Sequence, residues 1–225
     1  MAKGSSKDYL QVIALQIYKS CLSNRITLRT IWKSRADPRL VLADDWSRCV
    51  DRDDWSVDSQ LFKSLEKRTG KKFEIDLFAT DINARCKKFF SILASERALG
   101  RSAFLQNWAN YGNVFACPPP TLIGETLRHW IGNRARGGII FPAWKTLKSW
   151  PLVAEDGIHL NRCFSNIKIS RPFLSKGRDV LSDTFMGKAK FDFVSAVVEG
   201  SVKRPFQSRI NKENCLWNGC VKCVK

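Results

Sequence analysis

No run of apolar residues in this 225-residue chain approaches the roughly 20 needed to span a bilayer. The opening segment, Met1-Ala2-Lys3-Gly4-Ser5-Ser6-Lys7-Asp8, lacks an apolar stretch of signal-peptide type. The expectation is a soluble, intracellular protein of the nucleus or cytoplasm, with no membrane partner. Acidic residues are few: 21 Asp+Glu stand against 38 Lys+Arg, a formal net charge of +17. The basic surplus is spread along the whole chain, so no single tail accounts for it. A surplus of this kind favours a polyanion, and nucleic acid bound through its phosphates is the expected partner. A solvated basic surface is the alternative. Internal repeats are absent. Global disorder is excluded by a hydrophobic content of 44%, which is enough for a packed core.

Several stretches have clear periodicity. Leu10, Ile13, Ala14, Ile17, Tyr18 and Cys21 share one face of a helix over residues 8–23. Ile26 to Trp32 alternates apolar and polar residues, as a half-buried strand does. Asp58 is placed to cap a helix over residues 59–69, with Leu61, Phe62 and Leu65 inward and Gly70 ending it. Residues 73–78 read as a strand, 81–91 as a short helix and 113–116 as a second strand that the prolines stop. Residues 121–133 form an amphipathic helix with Leu122, Ile123, Leu127 and Trp130 inward. Gly137-Gly138 leads into a buried strand, Ile139-Ile140-Phe141. Strands alternating with helices predict an α/β chain with a largely parallel sheet. After Asn166 the pattern weakens.

In open α/β sheets, ligands bind beyond the carboxyl ends of the strands. Asp76 and Ala79 fall at one such end, and Cys117-Pro118-Pro119-Pro120 at another. Both groups are candidates for one crevice. The structural alternative makes Asp76 a strand-end turn residue and the prolines simple terminators.

Asp76-Leu77-Phe78-Ala79, followed by Asn83-Ala84-Arg85-Cys86 and the aromatic Phe89-Phe90, resembles a segment of the phage-type DNA N6-adenine methyltransferase family. Trp55 to Phe62 is similar to the family's upstream Trp-containing motif. Gln106-Asn107-Trp108 matches a later step at its Trp. Phe141-Pro142-Ala143-Trp144, with Trp150, resembles the family's final strand. The resemblance covers about residues 53–165. It implies a Rossmann-like, methyltransferase-type sheet with flanking helices, S-adenosylmethionine as cofactor and DNA as partner. Asp76, Phe78, Ala79 and Asn83 would be the cofactor-binding residues. Cys117, Pro118, Pro119 and Pro120 would stand at the catalytic Asn/Asp-Pro-Pro-aromatic motif. In that motif the first side chain and a proline carbonyl accept hydrogen bonds from the adenine amino group, and the aromatic stacks on the flipped base. Cys117 is a poor acceptor and Pro120 cannot stack in the same way. The motif is therefore degenerate, and weak or absent methyl transfer is expected. An active adenine-N6 methyltransferase and a structural remnant without ligand are the alternatives.

Ile26 to Trp32, Arg35 and Ala43-Asp44-Asp45-Trp46-Ser47-Arg48 resemble the end of a retroelement ribonuclease H domain. Asp44 would match its last metal-binding carboxylate. One carboxylate cannot build a two-metal site, so no ribonuclease activity and no metal are expected there. The order of the two resemblances is similar to that in tyrosine-recombinase retrotransposons of the DIRS type. It implies three regions: a ribonuclease H-like carboxyl-terminal remnant (1–52), a methyltransferase-like domain (53–165) and a basic extension (166–225).

Cys215, Cys220 and Cys223 could supply three zinc thiolates. No fourth ligand lies nearby in sequence, because His159 is distant and His129 sits in an apolar helix. Incidental cysteines in a basic tail are the preferred reading. Arg134, Arg136 and Lys145 are the candidate nucleic-acid contacts.

Overall fold

The computed structural model describes residues 8–29, 31, 34, 37, 55–93, 95–176, 187–210 and 212–216. The chain divides into two compact units, Met1–Cys49 and Val50–Lys225. In the first, helix α1 spans Asp8–Ser23. Its apolar face is uncovered within the described residues, with Ile13 and Ile17 about half exposed. Residues 26–29 carry no strand pairing, so the strand expected there is not formed over those residues. A lone alternating segment has no ladder to join. Asp44 and the rest of its ribonuclease H-like motif lie outside the described residues.

The second unit begins with strand β1 (Trp55–Val57) and helix α2 (Ser59–Thr69). The local sequence explains α2 in full. Asp58 caps it by accepting the Leu61 N–H at 2.6 Å. Gly70 closes it in the left-handed region, at φ 74°, where a side chain would be strained.

The following strands are β2 (Ile75–Asp76), β3 (Lys88–Ser91), β4 (Gly100–Arg101) and β5 (Val114–Ala116). Helix α3 (Ile123–Gly132) leads to β6 (Arg136–Pro142), the short helix α4 (Trp150–Val153) and β7 (Phe164–Ser170). Then come β8 (Phe173–Lys176), β9 (Gly187–Lys188) and β10 (Phe193–Glu199). Strands β1, β8 and β9 form a small separate sheet.

The main sheet has seven strands in the order β4-β3-β2-β5-β6-β10-β7. From β4 to β6 every pairing is parallel. Strand β10 is antiparallel to both β6 and β7, so β7 again runs with the parallel set. This mostly parallel α/β sheet is consistent with a methyltransferase-like fold. The strand order reverses at β2, between β3 and β5, which is the topological switch point where such sheets bind ligands.

Two expectations are corrected. Residues 81–91 form no helix: turns lead directly into β3, where Phe89 and Phe90 are buried in the sheet. The boundary expected at residue 166 falls inside β7. Residues 164–199 supply the last two strands of the sheet, and β10 is buried along nearly its whole length.

Both faces are covered. One carries Ile75, Val114, Ile139 and Val194 against Leu127 and Trp130 of α3. The other carries Phe115, Ile140 and Phe193 against Leu61 and Leu65 of α2. Gly138 makes the second contact possible. A Cβ there would come within 2.6 Å of the Phe73 ring and 2.8 Å of Leu65.

Candidate functional site

Parallel pairing sets Asp76 beside Phe115, so the two side chains share a face. Alternation puts Cys117 on that same face, two residues or about 6.6 Å further along the strand. Phe115 belongs to the α2-facing core, and Cys117 packs half-buried against that core. Asp76 and Cys117 therefore leave adjacent strands, at their carboxyl ends, on one side of the sheet.

Asp76 is 2% exposed. Its Oδ1 accepts the Phe78 N–H at 3.2 Å, and its Oδ2 accepts the Arg85 N–H at 3.1 Å. Burial pushes its carboxyl up to about 6, against the opposing pull of those two N–H groups. Asn83 continues the pattern: its Oδ1 accepts the Thr80 N–H at 2.7 Å, and the Ala84 N–H donates to the Thr80 carbonyl at 3.1 Å. Ala79 is buried and its N–H donates to the Phe90 carbonyl at 3.1 Å. Phe78 is half-buried, with its ring 5.5 Å from that of Phe104. Asp76 and Asn83 thus shape the loop after β2 from within.

Arg85 carries a role that no motif in the sequence pointed to. Its guanidinium donates to Ser59 Oγ at 3.1 Å, to Ser56 Oγ at 2.7 Å and to the Val57 carbonyl. It ties the β2 loop to β1 and the start of α2. Beside it, burial and the Asp76 charge push the Cys86 thiol up, so Cys86 stays protonated.

Of the degenerate tetrapeptide, Pro118 is buried, Pro119 exposed and Pro120 half-buried. The Pro119 carbonyl accepts the Leu122 N–H at 2.9 Å, starting the 3-10 turn Pro120–Leu122 that feeds α3. His129 and Trp108 are packing groups: Trp108 is fully buried, donates to the Ala103 carbonyl at 2.8 Å and stacks edge-on to His129 at 4.5 Å.

A groove of about 490 Å³ opens beyond β3 and β4, lined by Leu93, Ser95, Glu96, Ala98, Gly100 and Arg101. Glu96 is exposed there. It follows Asp76 by twenty positions, the spacing at which dinucleotide-binding units place a ribose-binding carboxylate.

The candidate nucleic-acid residues are split. Arg134 and Arg136 precede or open β6, at the amino end of the sheet, and Arg136 Nε lies 2.8 Å from Glu199 Oε1. Lys145, exposed, follows the carboxyl end of β6. The seven residues of β6 separate the two groups by about 20 Å, and Arg136 lies four residues, about 13 Å, before the level of Cys117. Among the described residues no helix is long and apolar enough to cross a membrane.

The family model for DNA N-6-adenine-methyltransferase (Dam) matches residues 47–136. The matched stretch takes in β1, α2, the Asp76 loop, Cys117 to Pro120 and α3, and it stops at the first residue of β6. No curated protein matches the chain. This region is accordingly methyltransferase-like. The ribonuclease H and retroelement readings rest on the sequence resemblance alone.

Proposed function

We propose that this chain is a retroelement-derived, methyltransferase-like protein that binds nucleic acid and transfers methyl groups weakly or not at all. The observation that carries the reading is the position of Cys117 and Pro120 at the carboxyl end of β5, beside the Asp76 loop. An adenine-N6 transfer needs an acceptor for the amino protons and a flat surface for the base. Cys117 offers a weak acceptor, and the pyrrolidine of Pro120 has no π face. By analogy with the loss of one preorganised polar group, the lost acceptor alone costs on the order of 10²–10³ in rate.

The residues present fit a nucleoside-bearing cofactor. Glu96 offers an open carboxylate to ribose hydroxyls and the groove beside it has room. S-adenosylmethionine, when bound, would supply an electrophilic methyl group. Asp76 holds the loop through backbone N–H groups on both of its oxygens, and each oxygen keeps acceptor capacity for a ligand.

Nucleic acid is assigned to the opposite edge. Lys71 and Lys72 precede β2, Lys87 and Lys88 open β3, and Arg134 and Arg136 open β6; all six are exposed. Since these strands are parallel, all six gather along the amino-end rim. Register sets Arg136 two residues, about 7 Å, before the level of Asp76, so phosphates held there meet the sheet from its amino-end side. Calorimetry with S-adenosylmethionine and a DNA titration at several salt concentrations test the two halves. Heat from the cofactor and salt-sensitive DNA binding are expected. Absence of both would leave a ligand-free remnant.

A further inference from the structure

Of the terminal cysteines, Cys220 and Cys223 lie outside the described residues, while Cys215 is bridged to His159. The feature that points to a ligand precedes them, in the two segments that run through β8 and β9. Burial alternates along both. Arg171 and Phe173 are exposed while Pro172 and Leu174 are buried; Lys188, Lys190 and Asp192 are exposed while Ala189 and Phe193 are buried. Phe173 is the direct antiparallel partner of Lys188, and the Ala189 N–H donates to the Pro172 carbonyl at 2.8 Å. Directly opposed residues point to the same side of a sheet. Arg171, Phe173, Lys188 and Lys190 therefore stand together on one solvent-facing strip.

Phe173 is 61% exposed, more than any other described phenylalanine. The Ala143 N–H donates to the Asp192 carbonyl at 2.8 Å, and exposed Lys145 and Lys148 follow on the next turn. The acids beside the strip are engaged. Asp192 Oδ1 lies 2.9 Å from Arg171 Nε, and the Asp58 carboxylate accepts the Leu61 and Phe173 N–H groups. Ala189, Phe193 and Leu174 point into the core that holds Phe115, the side on which Asp76 and Cys117 stand. The strip thus faces away from the crevice. It also lies beyond residues 47–136, the stretch that the family model matches.

The amino-end rim presents cations alone, which suits phosphates alone. The strip sets an apolar ring among cations. That combination suits a strand whose bases are unpaired, because the cations track the backbone and the ring stacks on a base face. A duplex hides those faces within its own stack. We propose that Arg171, Phe173, Lys188 and Lys190 form a second nucleic-acid surface that takes an unpaired strand, with Phe173 as the stacking residue. Lys145 and Lys148 extend the phosphate track. The surface rests neither on the methyltransferase reading nor on the rim.

The test is fluorescence anisotropy of the full chain with labelled oligo(dT) and oligo(U), beside a DNA duplex and polyglutamate. The tighter-bound of the two oligonucleotides identifies the strand's sugar. Phe173→Ser should weaken that binding about 5–100-fold, the range for one lost stacked base, and leave duplex affinity unchanged. Phe173→Trp should keep it. Lys188→Ala/Lys190→Ala should make the single-strand salt slope shallower by about 0.7 for each phosphate no longer neutralised. Since these side chains are exposed, the variants should keep the wild-type circular dichroism. Arg134→Ala/Arg136→Ala should weaken the duplex and spare the single strand, so failure of the rim and failure of the strip give different results. Unaltered single-strand affinity in Phe173→Ser would overturn the surface. So would an equal loss for the duplex or for polyglutamate, which would mark a general anion patch.

Discussion

The Arg85 N–H donates to Asp76 Oδ2 at 3.1 Å, closing the loop that follows the carboxyl end of β2. The same residue's guanidinium reaches back to Ser56, Ser59 and Val57. One arginine thus joins the loop over the candidate crevice to the strand and helix that precede it. Arg85→Met keeps the aliphatic stem and removes the donors. It should lower unfolding stability by about 1.5–3 kcal/mol, the range for hydrogen bonds to a charged group. Urea unfolding measures this, and a change within about 0.5 kcal/mol would mean that the network contributes little.

Asp76 gives the stability a distinctive pH dependence. Its folded value, about 6, lies above the ordinary 3.8 because of burial. The native chain therefore holds this proton more tightly than the unfolded chain does. The resulting stabilisation is complete below about pH 4 and is lost as pH rises through 6, on the order of 3 kcal/mol in all. Asp76→Asn cannot titrate. The stability of wild type minus that of the variant should fall by this amount between about pH 4 and pH 7. A difference that does not vary with pH would contradict the assignment.

Gly138 sets how closely α2 approaches β6. A methyl group there meets Leu65 and Phe73 at under 3 Å, and overpacking of this kind costs about 1–3 kcal/mol. Gly138→Ala should lower the melting temperature. An unchanged melting temperature would show that α2 shifts freely.

The helix over 59–69 could be read from sequence because its determinants are local: Asp58 at one end, Gly70 at the other and Leu61 and Leu65 between them. The placement of Asp76 and Cys117 at one sheet edge was legible too, since strand ends in parallel sheets share an edge. What escaped was non-local. Strand β10 is inserted between β6 and β7 across some fifty residues of sequence, and no periodicity reports its partner. The pairing of His159 with Cys215 is hidden for the same reason. Lys87-Lys88-Phe89-Phe90 suits a helix as well as a strand, because a short apolar run is ambiguous in period; the sheet decides it. Arg134 and Arg136 stand with Lys145 as nucleic-acid candidates in the sequence, and the direction of β6 puts them at its other end.

That direction yields a prediction about DNA. Lys71→Ala/Lys72→Ala and Arg134→Ala/Arg136→Ala should each weaken binding and make the slope of log K against log salt shallower, by about 0.9 for every phosphate no longer neutralised. Lys145→Ala, on the crevice side, should change the slope less. The reverse ranking, measured by fluorescence anisotropy, would move the interface to the crevice.

The degenerate tetrapeptide should be repairable if the scaffold beside it persists. Cys117→Asn/Pro120→Tyr restores an acceptor and an aromatic ring, and should raise methyl transfer by at least about 100-fold over wild type. Equal activity in the two would show that more than these side chains has been lost.

The central claim is that the Asp76–Cys117 crevice keeps a methyltransferase's shape without its adenine chemistry. The most direct test is transfer of labelled methyl from S-adenosylmethionine to adenine N6 in DNA by the wild-type chain. The account predicts incorporation at or barely above the level of a protein-free control. Turnover well above that level, abolished by Cys117→Ala in a folded variant, would contradict it.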